Sequence, residues 1–148
     1  MARVLIIIGS GSDQEYADRC RKLLDEFEIE SSLEICSAHR HPSRTADLAT
    51  GAEKNGFEII IAMAGLAAAL PGVVAAHTHL PVIGVPLPAA LGGIDSLLSI
   101  VQMPPGIPVA TMAVGRPGAA NAAVMAARIL ALKHPSIRSR LEKYRESL

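Results

Sequence analysis

The sequence predicts an α/β fold, a three-layer sandwich of flavodoxin or Rossmann type in which helices cover both faces of a parallel sheet of about five strands. Two observations predict it. Short apolar, β-branched segments alternate five times with segments of helical periodicity, as expected for successive right-handed β-α-β crossovers. Hydrophobic residues make up 50% of the 148 residues and charged residues 19%, which suits one core and a single domain over residues 1–148.

The first predicted strand, Val4–Ile8, is short and apolar, as expected for a strand that is buried on both faces. This strand ends before Gly9, and its apolar segment is too short for a signal peptide. The uncharged segment from Ile59 to Ala76 is interrupted by Gly65 and Pro71, so it is predicted as a strand, a turn and a helix rather than a membrane span. The predicted strands are Val4–Ile8, Ser32–Cys36, Phe57–Met63, Pro81–Val85 and Val109–Val114.

The predicted helices follow the strands one by one, and a last polar helix closes the chain. The first is predicted to begin with a capping box, in which Ser12 is the N-cap residue and Glu15 lies three residues later. Gly56 ends the second helix, and His134 before Pro135 is interpreted as a residue at which a helix stops. The predicted helices are Ser12–Phe27, Pro42–Asn55, Pro71–His77, Ile94–Val101, Ala119–Leu132 and Pro135–Ser147.

The composition excludes several classes of function. Lys+Arg 14 and Asp+Glu 14 give a net charge of zero, whereas a protein that binds nucleic acid through its phosphates needs an excess of basic residues. The aromatic content of 3% without Trp disfavours base stacking and a flavin site. The low charge predicts a homo-oligomer that buries apolar surface between copies. Cys20 and Cys36 form neither a CxxC pair nor the spacing of a zinc site. One disulfide is conceivable, but a reduced, cytoplasmic protein is the expectation.

Glycines, hydroxyl groups and a His-Arg pair follow the ends of the predicted strands. Ligands bind at the carboxyl ends of the strands in an open parallel sheet, so this edge is the predicted functional edge. The loops at this edge are Gly9–Asp13, Ser37–Pro42, Ala64–Gly72, Pro86–Asp95 and Gly115–Gly118.

The first of these loops has two interpretations. Ser10, Ser12 and the amides at a helix start suit a phosphate group, and Asp13 can accept a hydrogen bond from a ribose hydroxyl. A tight turn in which Ser12 caps the helix explains the same residues equally well. The loop lacks the Walker and GxGxxG patterns, so neither a nucleoside triphosphate nor a dinucleotide is indicated.

The second loop carries the clearest chemical signal. His39 is an acid/base group suited to neutral pH, and Arg40 beside it is a permanent cation suited to phosphate; a solvated or structural histidine is the alternative. His39 and His41 have the spacing of a metal pair, but the adjacent loops supply no clear carboxylate or thiolate, so no metal is predicted. Arg116 in the last loop contacts either an anion or a neighbouring chain.

Five segments resemble the N5-carboxyaminoimidazole ribonucleotide mutase family of purine biosynthesis and together extend over nearly the whole chain. They are GSGSD, SAHRHP, AGLAAALPG, GGIDSLLSIVQMPPGIPVAT and GAANAA. The resemblance implies flavodoxin-like subunits in an octamer with active sites at subunit junctions. It also implies movement of a carboxylate from the exocyclic nitrogen of an aminoimidazole ribonucleotide to ring carbon four, through transient carbon dioxide and without a cofactor or metal. Arg40 favours the bacterial mutase type over the animal-type carboxylase, which has Lys after the histidine.

The same resemblance implies roles for individual residues. His39 is the general acid/base that moves the proton at carbon four, Arg40 pairs with the phosphate, and Asp13 binds a ribose hydroxyl. The loop from Gly65 to Gly72 closes over the imidazole and its carboxylate. The other residues implied to bind the substrate are Ser10, Ser12, Ser37, Ala38, Gly65, Ala67, Ala68 and Leu70.

Ala69 departs from the family pattern, in which this loop reads AAHLPG and a second histidine lines the site. Alanine can neither hydrogen-bond a carboxylate nor relay a proton. Three interpretations remain open. His39 suffices alone, or the protein is a ribonucleotide-binding homologue with impaired or different chemistry, or Ala69 is an introduced substitution.

Overall fold

A computed structural model describes all 148 residues of the chain. Five strands form one parallel sheet in the order β2-β1-β3-β4-β5, which confirms the predicted α/β class. The order reverses at β1, so the switch point of the sheet lies between β1 and β3. The strands are β1 (Arg3–Ile8), β2 (Glu30–Ile35), β3 (Ile59–Ala64), β4 (Val82–Pro86) and β5 (Ala110–Thr111).

Strand β5 is much shorter than the predicted strand over Val109–Val114. Only Ala110 and Thr111 form ladder pairs with β4. Because β5 is the edge strand, no second neighbour holds the chain extended beyond them. The chain turns instead towards Gly115, whose N–H donates to the Pro86 carbonyl oxygen at 2.9 Å.

Six α-helices connect and follow the strands. The predicted capping box is wrong, because a 3-10 turn over Gly11–Asp13 precedes the first helix and makes Asp13 its N-cap residue, without a side-chain cap. Ser10 instead accepts a hydrogen bond from the Ser12 N–H at 3.3 Å. The helices are α1 (Gln14–Glu26), α2 (Pro42–Gly51), α3 (Leu70–Ala76), α4 (Ile94–Val101), α5 (Arg116–Leu130) and α6 (Pro135–Glu146).

The two faces of the sheet build two cores. Alternate residues of β1 point to opposite faces, as the strand period requires. Ile6 and Ile8 pack with residues of α1, α5 and α6, whereas Leu5 and Ile7 pack on the face with residues of α2, α3 and α4. Each core therefore lies between the sheet and one layer of helices, which leaves the strand ends free to carry loops.

The uncharged segment from Ile59 to Ala76 consists of β3, a loop and α3, as predicted. Pro71 lies in the first turn of α3, where a missing N–H costs the helix no hydrogen bond. No helix of the chain has both the length and the apolar character that a bilayer crossing requires.

His134 does not end a helix, in contrast to its interpretation from the sequence. Helix α5 ends at Leu130, and His134 is the N-cap residue of α6. The His134 Nε2 lies 2.9 Å from Glu58 Oε1, and the Lys133 Nζ lies 2.8 Å from Glu58 Oε2. Burial raises the pKa of Glu58, but hydrogen bonds from Lys133 and His134 and the positive charges of both outweigh that effect, so the pKa is lowered overall.

Replacing Glu58 by glutamine is expected to lower the free energy of unfolding by about 1 kcal/mol at pH 7. The pKa of Glu58 is lower in the folded chain than in the unfolded chain, so its ionised form stabilises the fold above the unfolded pKa. That contribution is lost as the pH falls through the folded pKa. Urea unfolding should therefore give a lower free energy of unfolding for Glu58→Gln than for the parent at pH 7, and equal values for the two in acid. Glu53→Gln, at an exposed site without an ion pair, should match the parent throughout, and a gap that persists in acid contradicts the account.

Candidate active site

A cavity of about 510 Å³ opens at the carboxyl ends of the strands, next to the switch point where ligands bind in such sheets. Loops after β1, β2, β3 and β4 line it. All eleven residues that the sequence analysis singled out for catalysis or substrate binding are among the lining residues. They are Ser10, Ser12, Asp13, Ser37, Ala38, His39, Arg40, Gly65, Ala67, Ala68 and Leu70.

The loop after β1 is a compact turn rich in hydroxyl groups. The Ser12 hydroxyl donates to the Ser10 Oγ at 3.0 Å, and the Asp13 N–H donates to the Ser10 carbonyl oxygen at 3.0 Å. Both serines are exposed to the cavity. Two hydroxyl groups just ahead of a long helix can donate to the oxygens of a phosphate, and the helix dipole favours the negative charge.

Asp13 is partly buried at the edge of the cavity. Burial raises the pKa of its carboxyl group, and a backbone hydrogen bond from Ser10 offsets part of that rise. The carboxylate is therefore poorly solvated, and a ligand that donates a hydrogen bond, such as a sugar hydroxyl, would reduce the desolvation cost.

Replacing Asp13 by asparagine is expected to raise the free energy of unfolding at neutral pH, by less than about 1 kcal/mol because the group is still partly exposed. The pKa of Asp13 is higher in the folded chain than in the unfolded chain, so the folded chain binds more protons between the two values. The stability of the parent thus falls as the pH rises through that window, whereas the asparagine does not titrate. Thermal unfolding across a pH series should give a higher melting temperature for Asp13→Asn than for the parent only at pH values above that window. Asp47→Asn, at an exposed site of α2, is the control, and a variant less stable than the parent at pH 7 contradicts the prediction.

The loop after β2 holds His39 and Arg40 at the cavity. The Arg40 N–H donates to the Ser37 Oγ at 3.2 Å, and the His41 N–H donates to the Ser37 carbonyl oxygen at 2.8 Å. Ser37 thus closes the loop on itself. The His39 and Arg40 side chains are exposed and have no hydrogen-bond or ion-pair partner within the chain, so both are available to a ligand. An imidazole can exchange protons with a bound molecule, and a guanidinium binds an anion in bidentate geometry.

The loop after β3 supplies the apolar side of the cavity. Leu66 has a φ of 55°, in the left-handed region that non-glycine residues rarely adopt. Its side chain is 60% exposed, so the chain itself does not bury it. Ala69 is the N-cap residue of α3 and makes no side-chain cap. Ala68 and Leu70 are buried, and their side chains anchor the loop in the core below.

Sequence reasoning missed several apolar lining residues. Leu66 was not selected, and Leu87, Pro88 and Ala89 complete the wall after β4. The position of that loop after a predicted strand was the only available signal, because an apolar side chain carries no chemical group that marks it as functional.

Two other residues lie outside the cavity. The Arg116 Nη2 lies 3.3 Å from Glu15 Oε2, and both side chains are exposed. Neither Arg116 nor His41 is among the lining residues. The prediction that the loop Gly115–Gly118 joins the functional edge therefore does not extend to this cavity.

The sequence of this chain matches one protein family and curated proteins that carry the same name. Residues 3–148 match the family described as AIR carboxylase. The N5-carboxyaminoimidazole ribonucleotide mutase of Pyrococcus abyssi is 54% identical over 149 residues, which cover 100% of this chain and 84% of that protein. The mutase of Escherichia coli K12 is 48% identical over 147 residues, which cover 99% of this chain and 87% of that protein.

A solved structure agrees with the fold. The crystal structure of Treponema denticola PurE superposes with a TM-score of 0.88 at 30% identity, and the match covers 99% of this chain and 91% of that one. Since sequence and fold agree over almost the full length, the chain belongs to the AIR carboxylase family.

Proposed function

We propose that this chain is a cytoplasmic N5-carboxyaminoimidazole ribonucleotide mutase, an isomerase of purine biosynthesis that acts as one domain over residues 1–148. The observation that carries the proposal is the convergence of the hydroxyl-rich loop after β1 with the His39–Arg40 loop on one cavity, in a chain of this family. The cavity volume of about 510 Å³ suits a single small molecule.

Each part of a ribonucleotide finds a matching group in the cavity. We assign the phosphate to Ser10, Ser12 and Arg40, because they supply hydrogen-bond donors and a fixed positive charge. Asp13 accepts a hydrogen bond from a ribose hydroxyl. The imidazole then lies between His39 and the loop after β3, with Ser37, Ala38, Gly65 and Ala67 as further contacts and the buried Ala68 and Leu70 beneath.

The proposed reaction needs only proton transfer and a protected cavity. The bond between the exocyclic nitrogen and the carboxylate carbon breaks, and the nitrogen keeps the electron pair as carbon dioxide leaves. Ring carbon four then uses the electrons of the aminoimidazole to attack the carbon dioxide. His39 takes the proton that this carbon loses and delivers it to the exocyclic nitrogen, so the amine is restored and the reaction neither gains nor loses a proton overall. Apolar groups such as Leu66 and Ala67 exclude water and limit the escape of the carbon dioxide.

Because residue 69 is alanine, His39 supplies the imidazole for proton transfer in the cavity. Apart from Arg40, the titratable side chains that line the cavity are Asp13 and His39, and Asp13 is assigned to the sugar. One imidazole can both remove and return a proton if the same face of the substrate is used in both steps.

Introducing a histidine with Ala69→His is therefore expected to change turnover by less than about tenfold, because proton transfer by His39 is already in place. The measurement is kcat for the nucleotide in parent and variant under identical conditions. A gain of about 100-fold or more would show that the parent is an impaired, ribonucleotide-binding homologue. Ala89→His, at an exposed lining residue to which the proposal assigns no contact with the substrate, controls for a histidine that is merely nearby.

We also propose that the chain assembles as a homo-oligomer, an octamer. Large apolar side chains on and beside α4 are exposed, with Leu91 at 68%, Ile94 at 61%, Leu98 at 53% and Val101 at 46%. Asp95 Oδ1, on the first turn of the same helix, is buried without a hydrogen-bond partner. A contiguous apolar patch with an unsatisfied acceptor suits contact with a second copy, and analytical ultracentrifugation measures the assembly directly.

The test of the function is the initial rate at which fresh N5-carboxyaminoimidazole ribonucleotide is converted to its carbon-four isomer. An enzyme-free control is needed because the substrate decarboxylates unaided. A rate that exceeds the control and is proportional to the protein concentration supports the proposal. A rate equal to the control, with the nucleotide bound, rejects the mutase function and leaves a binding protein.

A further inference from the structure

Thr45 is one of only two polar residues in the chain that are fully buried, at 0% exposure. It lies in the first turn of α2, directly after the loop that carries His39. Its hydroxyl donates to the His41 carbonyl oxygen at 2.9 Å, and its Oγ1 lies 3.2 Å from the Cys36 Sγ. Since the hydroxyl proton of Thr45 is used on His41, the thiol of Cys36 is the donor in the second contact.

These contacts join the two ends of the His39 loop. Cys36 at the start is fastened to β1, because its N–H donates to the Ile8 carbonyl oxygen at 2.8 Å. At the end, the His41 carbonyl oxygen accepts from both the Thr45 hydroxyl and the Thr45 N–H, the latter at 3.0 Å. A chain of hydrogen bonds from Cys36 through Thr45 to His41 thus closes the loop from the core side.

The closure through Thr45 adds to the two hydrogen bonds that Ser37 makes within the same loop. The His39 side chain has no hydrogen-bond partner in the chain and is exposed to the cavity, so only the backbone of the loop fixes where it points. We infer that Thr45 is a positioning residue for His39, acting through the His41 carbonyl. The inference rests on the proposed function, in which His39 moves a proton, and a displacement of about 1 Å at such a group can lower the rate by about 100-fold.

Thr45→Val tests the inference, because it keeps the shape of the side chain and removes the hydroxyl group. We expect kcat to fall by about tenfold with KM changed by less than about twofold, since Arg40 and the serines still bind the phosphate. Thr45→Ser keeps the hydroxyl group and should restore kcat. Thr50→Val is the matched control, because the Thr50 hydroxyl makes the same bond in the same helix, to the Ala46 carbonyl oxygen at 2.8 Å, but is exposed and remote from the loop.

Two results would overturn the inference. One is a Thr45→Val variant with the kcat of Thr50→Val, and the other is a Thr45→Ser variant no better than Thr45→Val. If Thr45→Val does not fold, Thr45→Ala takes its place, because it also removes the hydroxyl group that donates to the His41 carbonyl oxygen; an unchanged kcat in Thr45→Ala then overturns the inference.

A readout that needs no turnover separates this inference from the proposed function. The imidazole resonances of His39 in NMR spectra of the folded protein should be the same in parent and Thr45→Ser, and shifted or broadened in Thr45→Val. Absence of turnover in the parent rejects the proposed function while the NMR comparison still decides the role of Thr45. Identical His39 resonances in all three proteins reject that role even if the parent is active.

Discussion

Replacing His39 by asparagine is expected to lower the turnover of N5-carboxyaminoimidazole ribonucleotide by about 100-fold to 10,000-fold. Asparagine is similar in size and forms hydrogen bonds, but it cannot take up and release a proton near neutral pH. No other titratable side chain in the cavity is free for this task, because Arg40 stays charged and Asp13 is assigned to the ribose. The loss should therefore appear in kcat, with nucleotide affinity nearly unchanged.

The control for this substitution is His79→Asn. His79 is exposed and precedes β4, so it lies at the opposite edge of the sheet from the cavity. Steady-state kinetics and calorimetric titration with the nucleotide separate turnover from binding, and His39→Asn should unfold at the same temperature as the parent because the His39 side chain has no partner to lose. Parental turnover in His39→Asn would refute the acid/base role, and loss of affinity instead of turnover would assign His39 to binding.

The elements that local sequence patterns determine were predicted well. Helix α4 was predicted over Ile94–Val101 and is observed over the same residues, because Gly93 in front of it adopts a positive φ of 92° and the apolar periodicity stops at Gln102. The position of the cavity was also predictable. Parallel strands carry their following loops to one edge, and glycines, hydroxyl groups and the His39–Arg40 pair lie in those loops.

Features that depend on contacts distant in sequence were not predictable. The role of His134 at the start of α6 depends on Glu58, which precedes β3. The end of β5 depends on the absence of a further strand beside it. The buried link between Cys36 and Thr45 appears only when α2 folds back onto the end of β2. A sequence pattern shows which residues are apolar or charged, whereas these features depend on which residues meet.

Replacing Gly118 by alanine is expected to lower the free energy of unfolding by about 3 kcal/mol or more. Gly118 lies in the first turn of α5, where the helix start packs closely against the chain that leaves β5. A β-carbon at Gly118 would overlap the carbonyl oxygen of Ala113 and lie 2.7 Å from its carbonyl carbon, with Val85 Cγ1 at 3.2 Å. Backbone atoms cannot turn away as a flexible side chain can, so α5 would have to shift off the sheet.

The sign of this effect runs against helix propensity, which makes the test decisive. Alanine in place of glycine inside a helix normally stabilises by about 0.5–1 kcal/mol. Gly51→Ala at the end of α2 is the matched control, because a β-carbon there meets only the Asn55 Nδ2 at 3.5 Å, and it should raise the urea midpoint. Gly118→Ala should lower the midpoint, and near-ultraviolet circular dichroism should show disturbed packing. If both variants raise the midpoint, the backbone at Ala113 does not oppose a methyl group at position 118, and the predicted destabilisation is wrong.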